Sequence, residues 1–195
     1  MPVDDISPVA VLPRLEVKFP ALRHYRIEGV QASEFDRDFT LIAPNIGLSR
    51  NDLNQPLLGE VQNVPGVYFL IMKIEGCRYK IYAGKTKAIH LRLRDYVRGF
   101  QIHSPNDYKL QLFQEFMMNH DSQIKFDLYF QNSDITGYTT METLTVRKFN
   151  PFINQRGHSV AAEKDAIREA FALYCAQIFE RRLVDDSLPL HLRRP

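Results

Sequence analysis

Hydrophobic positions along the chain change their period several times, and each change marks an element. The run GVYFLIMKI (66–74) is apolar and rich in β-formers and reads as a strand. Glu75-Gly76 marks a turn, and CRYKIYAG reads as a second strand, so the two form a β-hairpin. Gly84 breaks the strand, and 86–99 reads as a helix closed by Gly99, with Ile89, Leu93, Tyr96, Val97 and Phe100 on its buried face. Residues 106–119 (NDYKLQLFQEFMMN) form a second amphipathic helix, and IKFDLYFQ (124–131) alternates as a third strand. A further helix runs from about Thr140 to Phe149 and stops before Asn150-Pro151. SVAAEKDAIREAFALYCAQIFERRL is a long C-terminal helix. The expected fold is α/β of the α+β kind: a small three-stranded, mainly antiparallel sheet flanked by helices.

Residues 1–60 are different. Prolines at 2, 8, 13, 20, 44 and 56 interrupt them, yet LEVKFPALRHYRIEGV and FTLIAP are too apolar for a disordered tail. They read as a small packed arm or subdomain, with a boundary near Gln55–Asn63. The expected organisation is an arm over 1–60, a core over 61–156 and a helical extension over 157–195. There is no internal repeat and no low-complexity segment.

Composition narrows the class. With 45% hydrophobic and 25% charged residues, the chain of 195 residues can bury a sizeable core. No apolar run approaches the length of a membrane span, and the acidic N-terminus is no secretory signal. Cys77 and Cys175 lie far apart and fit no metal spacing, so reduced cysteines and a cytoplasmic location are expected. The net charge of +2 conceals a polarity: 78–98 holds seven Lys/Arg against one acid, Asp95. Such a stripe suits a polyanion, although a solvated helix face explains charge alone equally well.

Arg92 resists the solvated explanation. On a helical wheel it falls about 60° from the centre of the apolar face, with Tyr96 one turn along. A lone charge at that edge is costly unless it is paired or bound. Arg94 and Lys87 point elsewhere and are ordinary surface charges on this criterion.

The motifs then resemble a known family. Gly66-Val67-Tyr68 followed by Tyr82-Ala83-Gly84 resembles the paired strand motif of the GIY-YIG endonucleases, with small apolar substitutions at the middle letters. Lys85, Arg92 and Tyr96 follow Tyr82 at +3, +10 and +14, as in that family. In METLTVRKFNPFINQ, Glu142 is followed by Pro151 nine residues on and Asn154 twelve residues on, which also matches. The likeness covers roughly 63–156 and is nearest to the nuclease domains of excision-repair incision enzymes and to GIY-YIG restriction endonucleases. Departures are a longer hairpin, an insertion around 97–107 and the unmatched first 60 residues.

The resemblance implies a metal-dependent DNA endonuclease of restriction type, or one carried by a mobile element or phage. Its catalytic residues would be Tyr68, Tyr82, Lys85, Arg92 and Glu142, with Tyr96, Asn154, Lys87 and Arg94 contacting substrate. Glu142 would hold one Mg²⁺ or Mn²⁺ ion per active site. Arg92 would grip the scissile phosphate. A tyrosine would act as base, Tyr68 in preference to Tyr82 though the roles are exchangeable, with nearby cations favouring the phenolate. Duplex DNA is the expected partner, and double-strand cutting suggests a homodimer. No zinc-finger or helix-turn-helix spacing is visible. Competing readings are an inactive module of the same fold that binds nucleic acid or protein, and a toxin-like nonspecific nuclease shielded by the acidic arm. Residue by residue, Tyr68 and Tyr82 also suit ordinary strand aromatics. Thr139-x-x-Glu142 also reads as a capping box, and Asn154 also suits local turn bonds.

Overall fold

A computed structural model describes residues 12–49, 62–97, 104–154 and 166–187. The expected arm–core boundary from Gln55, the helix end at Gly99 and the start of the last helix at Ser159 lie outside these residues or at their margins. The N-terminal segment forms α1 (Arg14–Lys18), a 3-10 helix (Pro20–Tyr25), α2 (Gly29–Asp38) and β1 (Thr40–Ile46). There follow β2 (Gly66–Ile74), β3 (Cys77–Thr86), α3 (Ile89–Val97) and α4 (Pro105–Met118). Then come β4 (Lys125–Asn132), α5 (Tyr138–Phe149) and α6 (Ala166–Ser187). No helix among the described residues is long and apolar enough to cross a membrane.

The sheet has four antiparallel strands in the order β1-β4-β2-β3, not three. The additional strand is TLIAPNI, which the sequence places in the arm. It pairs with β4, Thr40 opposite Phe130 and Ile46 opposite Phe126, with irregular register between. Pro44 and the positive φ of Asn45 (52°) suit an edge strand, where a missing donor and a bulge are tolerated. The Asn45 backbone N–H donates to the buried Asp127 carboxylate at 2.9 Å, and Lys73 Nζ lies 2.8 Å from the same carboxylate.

Both faces of the sheet are covered, which is why β2 is apolar almost without interruption. One face packs on α2 and α5 through Phe35, Phe39, Val67, Phe69, Ala83 and Phe149. The other carries Tyr68, Leu70, Met72, Ile81 and Tyr82 beneath α3, α4 and the N-terminal helices. The arm therefore contributes Leu15, Phe19, Leu22 and Tyr25 to the main core. Buried Glu16 accepts from Tyr79 Oη at 2.7 Å and pairs with Arg26 at 3.2 Å, so its charge is matched as burial requires.

Two local features of the hairpin matter later. Glu75 (φ 48°) and Gly76 (φ 77°) form the two-residue turn with left-handed backbone that a tight hairpin prefers. In β3 the register slips: Leu70 faces Tyr82 but Ile71 faces Lys80, leaving Ile81 as an extra residue. Ile81 and Tyr82 consequently turn to the same face, which strict alternation forbids.

α5 does not start with a capping box. Its N-cap is Gly137, Glu142 lies beyond the first turn, and Asp134 accepts from the N–H groups of Thr136 (2.8 Å) and Gly137 (2.6 Å). Asn150, in the left-handed conformation, ends the helix before Pro151 as expected.

His120 follows α4 with its ring edge-on to Phe19 (5.1 Å) and Phe116 (4.8 Å), and its Nδ1 takes a hydrogen bond from Lys18 Nζ at 2.9 Å. Burial, then the Lys18 charge, lowers its pKa below the ordinary 6.5. The unfolded chain therefore takes up this proton first, so the contribution is complete above about 6.5 and is lost as pH falls through the depressed value. Urea midpoints are expected to drop between about pH 7.5 and pH 5, and His120→Gln is expected to flatten that slope. An unchanged slope in the variant would rule this out.

Candidate active site

The β3 bulge puts Tyr82 on the same face as Tyr68, their ring centroids 6.0 Å apart. Tyr68 lies opposite Gly84 across the β2–β3 pair. A Cβ on Gly84 would sit 2.5 Å from the Tyr68 hydroxyl and 2.9 Å from the Tyr82 ring. Glycine is thus required here by close approach, not by backbone angle. Gly84→Ala is expected to displace Tyr68 at a cost of about 1–3 kcal/mol. Near-UV circular dichroism and urea titration read this out, and wild-type values in both would refute it.

α3 carries the charge to this pair. The Arg92 guanidinium lies 5.3 Å from the Tyr68 ring centroid and 5.5 Å from that of Tyr96, which is itself fully buried. Tyr96 is therefore closed to solvent and packs against Arg92, so the direct substrate contact expected of it does not fit this arrangement. Arg92 is paired with Asp107 through Nη2 and lies 3.5 Å from Asp95 through Nη1. Its Nε is buried and has no hydrogen-bond partner among the described residues. Burial alone would lower the Arg92 pKa, but Tyr96, Tyr68 and Asp107 outweigh it and hold the group above its ordinary value.

Asp107 was not visible to sequence reasoning. It is fully buried at the start of α4, where Ser104 caps the helix by accepting from the Asp107 N–H at 3.2 Å. The Ser104 hydroxyl donates back to the carboxylate at 3.0 Å. Ser104-Pro105-x-Asp107 is a legible helix start, and that was the available signal. Asn106, beside it, reaches the Tyr82 hydroxyl at 3.5 Å.

Protonation runs against the expectation for the tyrosines. Burial pushes the Tyr68 pKa well above the ordinary value, Tyr96 and Tyr82 add to it, and Arg92 only partly offsets them. Tyr82 is likewise raised by burial, with its bonds to Asn106 and Tyr68 and the Arg92 charge acting the other way. Desolvation wins over the neighbouring cation, so in this state both phenols keep their protons.

Lys85 and Glu142 form a second group. Their side chains meet at 3.1 Å and are partly exposed. Lys85 lies opposite Val67 on the sheet face that packs on α5, whereas Tyr68, Tyr82 and Arg92 occupy the other. The chain passes between the two groups in the single step from Gly84 to Lys85. Lys87 and Arg94 are exposed. Asn154 closes the outer edge of β3: its Oδ1 accepts from the Ala83 N–H and its Nδ2 donates to the Ala83 carbonyl, both at 2.7 Å.

Among the described residues no three His, Cys, Asp or Glu side chains gather as a metal cluster. Glu142 is partly exposed and offers hard carboxylate oxygens. That fits Mg²⁺, which commonly takes one carboxylate and completes its shell with water and substrate phosphate. No protein-family model matches the chain, and no curated protein or solved structure does either.

Proposed function

We propose that this chain is a metal-dependent endonuclease that hydrolyses phosphodiester bonds of DNA through a GIY-YIG-type core, in a restriction or mobile-element role. One observation carries the reading. Tyr68, Tyr82 and Arg92, which sit at the spacings of the family that the sequence resembles, share one cluster through the bulge in β3 and the close approach at Gly84.

In this reading the Arg92 guanidinium, permanently charged and planar, binds the scissile phosphate from the cluster. The Tyr68 and Tyr82 phenols, protonated while buried, orient that phosphate or the attacking water by donating hydrogen bonds. Water entering with the substrate removes part of the desolvation and brings the Tyr68 pKa down towards the range of a base. Glu142 would hold a Mg²⁺ or Mn²⁺ ion whose contribution, when bound, is Lewis-acid stabilisation of charge on the phosphate and leaving oxygen. Lys85, freed from Glu142, would be left for a phosphate oxygen. Lys87 and Arg94 offer exposed charge to the flanking backbone of the duplex. Cutting both strands takes two such sites, so a homodimer or successive nicking belongs to the proposal.

The test is cleavage of supercoiled plasmid by the whole chain with Mg²⁺ and with EDTA. Metal-dependent nicking or linearisation supports the endonuclease. A second reading, a binding module that does not cut, is favoured by the engagement of Arg92 with Asp107 and Asp95 and of Glu142 with Lys85. Intact plasmid held in a salt-sensitive complex would select that reading.

A further inference from the structure

The sequence accounts for Arg92 as a residue on α3, but α4 fixes where its charge sits. We infer that Asp107 is the positioning residue for Arg92, setting the orientation of its guanidinium from the first turn of α4. As to cleavage, this rests on the endonuclease reading above; as to Arg92 itself, it does not.

The geometry is a chain of constraints. Ser104 fixes Asp107 twice, by capping its N–H and by donating to its Oδ2. The carboxylate thus held offers Oδ1 to Arg92 Nη2. On the far side Asp95 approaches Nη1 only at 3.5 Å, longer than a good charged hydrogen bond. The rings of Tyr68 and Tyr96 define where the guanidinium lies but not its rotation about the long side chain. A hydrogen bond to a fixed acceptor defines that rotation. Asp107 is entirely buried, so it does not meet substrate and acts only through Arg92.

A misdirected guanidinium would lose its contact with the transition state more than its contact with bound substrate. The signature is a fall in kcat and kcat/KM together, with KM little changed. Small displacements of a positioned group cost about 100-fold.

The experiment compares wild type with Asp107→Asn, which keeps the volume but removes the charge. It also replaces one of the two acceptor oxygens by an NH₂ donor, so the side chain can no longer accept from Arg92 and Ser104 together. Arg92 guanidinium signals are recorded by NMR, assigned by their loss in Arg92→Lys. Slow rotation, seen as separate Nη signals, is expected in wild type and averaging is expected in Asp107→Asn. On plasmid, kcat is expected to fall about 100-fold in the variant with KM nearly constant. Separate Nη signals persisting in a folded Asp107→Asn protein would overturn the inference, as would unchanged kcat alongside an active wild type. If wild type does not cut, the endonuclease reading fails and the NMR comparison still decides the role of Asp107. Should Asp107→Asn not fold, Ser104→Ala frees Oδ2 while leaving the ion pair. Faster Nη rotation in it supports the inference, and wild-type rotation overturns it.

Discussion

Arg92→Ala is expected to abolish plasmid cleavage and also to lower stability by about 3–5 kcal/mol, the usual cost of removing one partner of a buried ion pair. From the sequence alone, deletion of this charge should leave the protein folded. The difference is Asp107, which has no exposure and would keep a charge with its principal cation gone. Against a typical total of about 5–15 kcal/mol, such a loss is large. Loss of activity in Arg92→Ala is therefore weak support for a catalytic role by itself. Arg92→Lys makes the cleaner comparison. It retains a cation for Asp107 but loses the planar fork, so urea midpoints should stay near wild type while cleavage falls steeply. Equal stability of wild type and Arg92→Ala would mean that the Asp107 pair is not formed in solution.

Glu142→Ala is expected to act in the opposite way, with full loss of metal-dependent cleavage and a stability change below about 1 kcal/mol. Among the described residues its ion-pair partner is Lys85 at 3.1 Å, and that pair is partly exposed, so solvent screens most of its worth. No cap depends on Glu142, because Asp134 and Gly137 start α5 without it. The measurement is the nicking rate of supercoiled plasmid across a Mg²⁺ titration, with circular dichroism to verify the fold. Near-normal nicking by Glu142→Ala would end the single-carboxylate scheme.

The hairpin was legible because its strands are rich in β-formers and its Glu75-Gly76 turn has residues suited to left-handed backbone. The helices were legible from their apolar faces, and the stop at Asn150 from the following proline. β1 was not. TLIAPNI is short and contains a proline, and what makes it a strand is the open edge of β4, which no local pattern announces. At the site, the cost of leaving Arg92 alone was readable from the helical wheel, but the carboxylate that answers it lies 15 residues away on another helix. The bulge at Ile81 left no trace in composition either, though it decides which face Tyr82 takes. Asn154 stands at the spacing that suggested a substrate contact, yet its amide engages the Ala83 backbone, since spacing alone does not say which atoms a side chain meets.

The place of β1 bears on how the protein can be cut down. Residues 40–46 form one outer strand of the sheet, and their removal with the rest of the first 60 residues would leave the edge of β4 away from β2 unpaired. That new edge would present free N–H and C=O groups beside Phe126, Leu128 and Phe130, a template onto which other chains add. It would also strip Leu15, Phe19, Leu22 and Tyr25 from the core. A shortened protein starting near residue 61 would therefore be a precursor of aggregates, not a nuclease released from an acidic shield. A shielding role for the arm is tested instead in the intact chain, by neutralising exposed acids such as Glu28 and Asp36, which pair with Arg26 and Arg78.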